Sequence, residues 1–282
     1  MNNLLGKVRY LCLLLLQWAY NHLAGGRPAR RGDGEQFELA CNSFFEKIFV
    51  ITLPRSRARQ EFVKNGLGGL RFEFFFGVDG QEISDAELQR VYSLEKNRKT
   101  WLKVLSRNEI AASLSHARLY ERIVEQGIRR ALILEDDAQI ERRWTLPALL
   151  ENLPHDWDVL RLGFGAEYPL SYLLEPIERV IRLVRPRFRF RAIRTRGAAK
   201  YLRTAFTHSG AHGYAVTLDG AKKLLNDIYP ISTLPDHFLD ICALNGAASS
   251  YHSVPRIFRD ATNLLGSSIQ MTGLSEKQKG AP

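Results

Sequence analysis

Cysteine is scarce in this chain: Cys12, Cys41 and Cys242 are the only ones in 282 residues. Their positions offer no close pairing and no metal-ligand spacing, which argues against a disulfide framework or a zinc module and fits a reducing compartment. Each reads as a small buried apolar residue. Long apolar runs are missing too. The unbroken stretch at residues 10–16 is too short to cross a bilayer, and Gln17-Trp18-Ala19-Tyr20-Asn21-His22 is a poor cleavage region for a secretory signal. Leu4, Leu5, Val8, Leu11, Cys12, Leu15 and Leu16 still recur at helical spacing, with Lys7 and Arg9 between them. Residues 1–20 are therefore expected to form an amphipathic helix, lying either on a membrane surface or on the protein's own core. His208, His212, His237 and His252 also lack metal-ligand spacing, so structural or surface roles are the default. Acid is absent from residues 179–203, which carry Arg179, Arg182, Arg185, Arg187, Arg189, Arg191, Arg194, Arg196, Lys200 and Arg203. That segment equals the whole formal net charge of +10, so the remainder is nearly neutral.

At 45% hydrophobic, the chain can bury a full core. The expected organisation is an amphipathic helix and flexible linker at 1–34, an α/β domain at 35–270 with a basic insertion at about 170–207, and a loosely ordered tail at 271–282. Strands are expected at 47–53, ended by Pro54, and at 72–76, closed by Gly77-Val78-Asp79-Gly80. Ile110, Leu114, Leu119 and Ile123 mark a helix over 107–125 that feeds a strand starting at Ala131. Further strands are expected at 157–162 and 212–218, then a helix over 219–227 with Asp219 as its cap, and another opening at Pro235-Asp236-His237. This order implies a mainly parallel sheet with helices on both faces. Inside the insertion, Arg185-Pro186-Arg187-Phe188-Arg189-Phe190-Arg191 alternates strictly and puts four arginines on one face.

The most informative stretch is Ala131-Leu132-Ile133-Leu134-Glu135-Asp136-Asp137, an apolar run that ends abruptly in three carboxylates. A buried parallel strand would deliver these acids together at its carboxyl end, the edge where open α/β sheets bind ligands. Acids this close repel one another unless a cation sits among them, and strand periodicity would turn Glu135 and Asp137 to the same side. Oxygen-only ligands suit Mg²⁺ or Mn²⁺. The competing reading is a solvated loop or a helix cap.

The ordered set Ile51-Thr52-Leu53-Pro54-Arg55-Ser56-Arg57-Ala58-Arg59, Phe75-Phe76-Gly77-Val78-Asp79-Gly80, Asn108 to His116, Leu134-Glu135-Asp136-Asp137, Gly213-Tyr214-Ala215-Val216, Pro235-Asp236-His237-Phe238-Leu239 and Ser267-Ser268-Ile269 resembles glycosyltransferase family 25, the lipooligosaccharide galactosyltransferase group. The resemblance covers about residues 47–270. It implies a glycosyltransferase A-type fold that transfers a hexose, usually galactose, from a UDP-sugar donor to a lipid-linked glycan acceptor with inversion. It assigns Glu135 and Asp137 to a Mn²⁺ or Mg²⁺ ion, and Leu53, Arg55, Arg59, Asp79, Glu109, His116 and Asp136 to donor binding. Asp136 would meet the ribose or donor sugar. Arg55 and Arg59 alternatively read as surface arginines of a helix. Asp236 is the candidate base, with a helix cap or a further metal ligand as its alternatives. Two departures stand out: the family's glycine-rich signature is here Asn108-Glu109-Ile110-Ala111-Ala112, and Thr52 replaces its usual Asn. The lost glycines leave the local backbone shape open, since alanine does not readily adopt φ > 0.

The leading expectation is an enzyme at the cytoplasmic face of a bacterial inner membrane. A weak apolar anchor plus a polybasic patch supplies two signals for an anionic membrane surface, which is favoured over nucleic acid or a merely solvated face. A phospho-accepting receiver module would share the acid pair but leaves the first 130 residues unexplained. A family member with weakened catalysis is the remaining alternative.

Overall fold

The computed structural model describes residues 31–100, 104–164, 193–194, 201–203, 210–254 and 256–266. Lys47–Thr52 (β1), Phe72–Phe76 (β2) and Arg130–Glu135 (β3) form a parallel group with β1 in the middle. Gly213–Thr217 (β8) pairs antiparallel with β3, and on its other side with Val159–Gly163 (β5), which is parallel to Ser250–Val254 (β9). Thus β1, β2, β3, β5 and β9 share one direction and β8 opposes them. Ile193–Arg194 (β6) and Tyr201–Arg203 (β7) extend the sheet antiparallel beyond β9. Ala138–Ile140 (β4) pairs with Phe258–Asp260 (β10), which also meets β5 at Gly163.

The β3 run is apolar throughout because both of its faces are covered. Ala131 and Ile133 face a core built with Arg107–Glu125 (α5), Leu218–Ile228 (α7) and Pro235–Asn245 (α8). Leu132 and Leu134 face a second core built with Asp33–Phe44 (α1), Arg57–Gly66 (α2) and Leu146–Glu151 (α6). Fully buried side chains such as Leu132 and Ile133 contribute roughly 1.5–3 kcal/mol each. This alternation decides which helix each site residue will meet.

The expected strands and helices are present with small shifts; the 157–162 strand begins instead at Val159. Two short helices that lack clear periodicity, Asp85–Val91 (α3) and Leu94–Thr100 (α4), fill the stretch before α5, and Thr262–Leu265 (α9) follows β10. The lost glycines left the backbone shape at Asn108 to Ala112 open, and it is helical. These residues lie in the first turns of α5, where Ser106 and Glu109 form a reciprocal capping box and alanine is well suited. The N-terminal helix, the tail and the Arg185–Arg191 ribbon lie outside the described residues.

Asp219 does not cap α7. Thr217 does: its hydroxyl accepts the Gly220 N–H at 3.0 Å, while Asp219 is exposed beside Lys222. Thr217→Val is expected to lower unfolding free energy by about 1 kcal/mol in urea titrations. Asp219→Ala should change it by less than about 0.5 kcal/mol, and equal losses would overturn the Thr217 assignment.

Candidate active site

The carboxyl ends of β1, β2 and β3 open into a cleft of about 900 Å³, its mouth included. Its floor is made where β3 stops. Glu135 is the last strand residue, and Asp136 and Asp137 occupy the turn that follows. Strand periodicity therefore does not extend to Asp137, and the expected Glu135–Asp137 grouping gives way to a different one. Asp136 and Asp137 share a single guanidinium: Arg59 donates from Nε to Asp136 at 2.6 Å and from Nη2 to Asp137 at 2.8 Å. Its Nη1 donates to the Gly266 carbonyl at 2.9 Å.

The Arg59 side chain is only 12% exposed. Burial works against its charge, yet the two carboxylates outweigh that and hold its pKa above the usual value. The second Asp136 oxygen accepts the Thr52 hydroxyl at 2.7 Å. This follows from the parallel register, which sets Ile51 against Glu135. Asp137 accepts a long bond from Thr262 at 3.3 Å, while its Oδ1 is buried without a partner. Burial, and then the Glu135 charge, push its carboxyl up from 3.8 to about 6.

Glu135 turns to the other layer and faces His116 Nε2 at 3.5 Å. Burial would raise its pKa, but His116, with His212 and Arg59, holds it below the usual value. The other His116 nitrogen, Nδ1, shares a hydrogen bond of 2.8 Å with the Tyr214 hydroxyl, which lies 2.7 Å from that of Tyr120. Burial raises both phenols, so they stay protonated and orient the ring.

The upper wall is the turn after β2. Asp79 is buried and bonded by Arg55, from Nε and at 3.1 Å from Nη2, which holds the carboxyl below its usual range. About half of the Arg55 side chain stays exposed at the mouth. The turn lies directly on α5. A Cβ on Gly80 would sit 2.7 Å from the Asn108 Cα, and one on Gly77 would sit 2.6 Å from the Ser115 hydroxyl, which accepts the Val78 N–H.

Leu53, Arg55, Arg59, Asp79, His116, Glu135, Asp136 and Asp137 thus come together in one cleft. Glu109 and Asp236 do not line it. Glu109 turns back to the Ser106 N–H at 2.8 Å, as the Ser-x-x-Glu pattern foretells. Asp236 sits in the first turn of α8 and accepts the Gly210 N–H at 2.7 Å and the His237 N–H at 2.8 Å. Fully buried Arg161 locks this corner, pairing with Asp240 at 2.6 Å and donating to the Gly210 carbonyl at 2.7 Å. Asp236 is therefore a link in the fold rather than a base facing the cleft.

Three contributors were given no site role by the sequence: Thr52, Thr262 and His212. His212 is buried with its Nε2 unpartnered and acts electrostatically on both Glu135 and Asp137. It precedes β8, whose Gly213 pairs with Leu134, a cross-strand proximity that ligand spacing along the chain cannot reveal. Among the described residues, no group of three or more His, Cys, Asp or Glu side chains is gathered to hold a metal ion. Asp137 Oδ1, the unpartnered oxygen of the turn, and Glu135, which faces His116, are the carboxylates that would hold Mg²⁺ or Mn²⁺; such ions are commonly held by one or two carboxylates and complete their shells with water and substrate phosphates.

Residues 45–239 match the model of glycosyltransferase family 25 (LPS biosynthesis protein). The chain belongs to this family. It is 26% identical over 220 residues to procollagen galactosyltransferase 1-A of Xenopus laevis, covering 74% of this chain and 33% of that protein. A glycosyltransferase 25 family member of Anopheles gambiae is 30% identical over 232 residues, 76% of this chain and 34% of that one. The inactive glycosyltransferase 25 family member 3 of Homo sapiens is 27% identical over 133 residues, 42% and 22% respectively. The chain thus spans about a third of the length of the first two relatives.

Asp137 yields a pH test. A carboxyl whose folded pKa exceeds its unfolded one keeps its proton only in the folded state over that window, so its contribution to stability falls as pH rises from 3.8 to about 6. Asp137→Asn should therefore raise stability at pH 7.5, by on the order of 1 kcal/mol, and give no gain at pH 3.5. Loss of stability at pH 7.5 would mean that pairing with Arg59 outweighs burial.

Proposed function

We propose that this family 25 chain is a hexosyltransferase that moves galactose from a UDP-sugar to a hydroxyl of a lipooligosaccharide or related lipid-linked glycan, with inversion. The observation that carries the reading is the acid turn of Asp136 and Asp137, set beside Arg55 and Arg59 at the carboxyl edge of the parallel strands. The names of the galactosyltransferase relatives favour galactose, and the LPS description of the family favours the glycan acceptor.

In the transfer, the bond from the sugar's anomeric carbon to the diphosphate breaks, a bond to the acceptor oxygen forms, and the proton of that hydroxyl is released to solvent water. Charge builds on the departing UDP, and cations placed in advance lower the barrier. Arg55 and Arg59 are the guanidiniums suited to grip diphosphate oxygens bidentately. Mn²⁺ or Mg²⁺, held by Glu135 and Asp137, would supply Lewis-acid stabilisation of the same leaving group. His116, fixed by Tyr214, orients Glu135. Asp79 fixes Arg55 at the mouth. Asp236, held by two backbone N–H groups, does not line this cleft.

Hydrolysis or transfer from a panel of UDP-hexoses, with Mn²⁺ or EDTA, tests this reading by UDP release. Metal-dependent turnover of UDP-galactose is expected, falling about 100-fold or more in Asp137→Ala. A second reading, a catalytically weakened member, is favoured by the similarity to a relative named inactive. UDP binding without turnover of any donor would select it.

The proposed location is the cytoplasmic face of a bacterial inner membrane, supported by the Leu-rich residues 1–20 and the acid-free residues 179–203. Removing residues 1–30 should reduce sedimentation with vesicles containing phosphatidylglycerol by about tenfold, and high salt should reduce it further. Unchanged binding would sink the two-signal argument.

A further inference from the structure

Arg59 stands where an incoming cation would find its charge partner. Its guanidinium bonds both turn aspartates, and only 12% of the side chain is exposed. Both Asp136 oxygens are thereby used, one by Arg59 and one by Thr52. Asp137 spends Oδ2 on Arg59 and Thr262 and keeps only Oδ1. A divalent ion reaching Glu135 and Asp137 Oδ1 would thus share the Asp137 carboxylate with a mostly buried guanidinium, two like charges at close range. With Asp137 Oδ1 the unpartnered oxygen and Glu135 already facing His116, the ion would also need most of its remaining ligands from elsewhere. A diphosphate relieves both problems. It supplies oxygens for the ion, and its own charge gives the Arg59 fork a second anion to bond.

We infer that Arg59 makes divalent-ion binding conditional on the nucleotide diphosphate: without donor it occupies the acid turn as the resident cation, and with donor it turns toward the phosphates and admits the ion. This rests on the UDP-sugar reading above and deepens it, since it assigns to one side chain the coupling between the two ligands. Coupling of this kind is reciprocal, so Mn²⁺ must tighten UDP by the same factor by which UDP tightens Mn²⁺.

Calorimetric titration of the full chain with Mn²⁺ alone, UDP alone, and each in the presence of the other measures that factor. In the wild-type chain, UDP should tighten Mn²⁺ by about tenfold or more. In Arg59→Gln, Mn²⁺ alone should bind more tightly than in the wild type, and the coupling factor should shrink. Arg59→Lys guards against a folding defect. Its ammonium keeps a positive charge but cannot form the planar fork to both aspartates, so its Mn²⁺ affinity without UDP should lie between the other two. If Arg59→Gln and Arg59→Lys bind Mn²⁺ alone no better than the wild type, while UDP and Mn²⁺ together still bind all three, the inference is overturned and the UDP-sugar reading stands. If no protein binds Mn²⁺ even with UDP present, the metal-dependent reading fails and the inference falls with it.

Discussion

The arrangement depends on a single charge-assisted contact, the fork from Arg59 to the two carboxylates of the Asp136-Asp137 turn. Three acids in succession after a buried strand would repel one another and resist leaving water. The fold manages this by dividing them. Glu135 follows the strand's alternation into the α5 layer, where His116 faces it. Asp136 and Asp137 meet Arg59 on α2, in the other layer. The two apolar cores thus have a polar continuation at their common edge: one layer supplies an imidazole, the other a guanidinium. Uneven compensation leaves Asp137 as the strained member, with a raised pKa and an unpartnered oxygen. Groups left in that condition are where binding energy is most readily gained when a ligand arrives.

The sheet was largely legible in the sequence because its strands are buried on both faces, so short apolar runs such as Ala131 to Leu134 stand out. The acid turn was legible because its carboxylates end such a run without transition. Arg55, Arg59 and Asp79 were placed beside it by the resemblance, and the parallel order β2-β1-β3 brings their turns to one edge. Misplacement came where a local rule competed with the motif. Glu109 lies three residues after Ser106, and the capping box took its side chain. Asp236 lies in the first turn of a helix, where backbone N–H groups are in search of acceptors, and it gives both oxygens to them. The cap of α7 fell to Thr217 rather than Asp219, which stayed in solvent.

His212 and Thr262 illustrate what a linear reading misses. His212 reaches the acids only because β8 lies antiparallel to β3, and Thr262 only because β10 pairs with both β4 and β5. Neither contact has a periodic or spacing signature. The short helices α3 and α4 were missed for a related reason: seven residues give less than two full turns of pattern. Contacts that depend on long-range pairing become readable only when the pairing is known.

The opposed direction of β8 has an architectural consequence. Gly163, at the end of β5, and Gly213, at the start of β8, are partners in the sheet. The long segment between them therefore departs from and returns to neighbouring points beside the acid turn. A loop whose ends are already pinned together costs the framework little as it lengthens, since closure entropy grows only with the logarithm of its size. This edge is accordingly a natural grafting point. Segments of different length and charge can join these two points while β3, β5 and β8 keep their register.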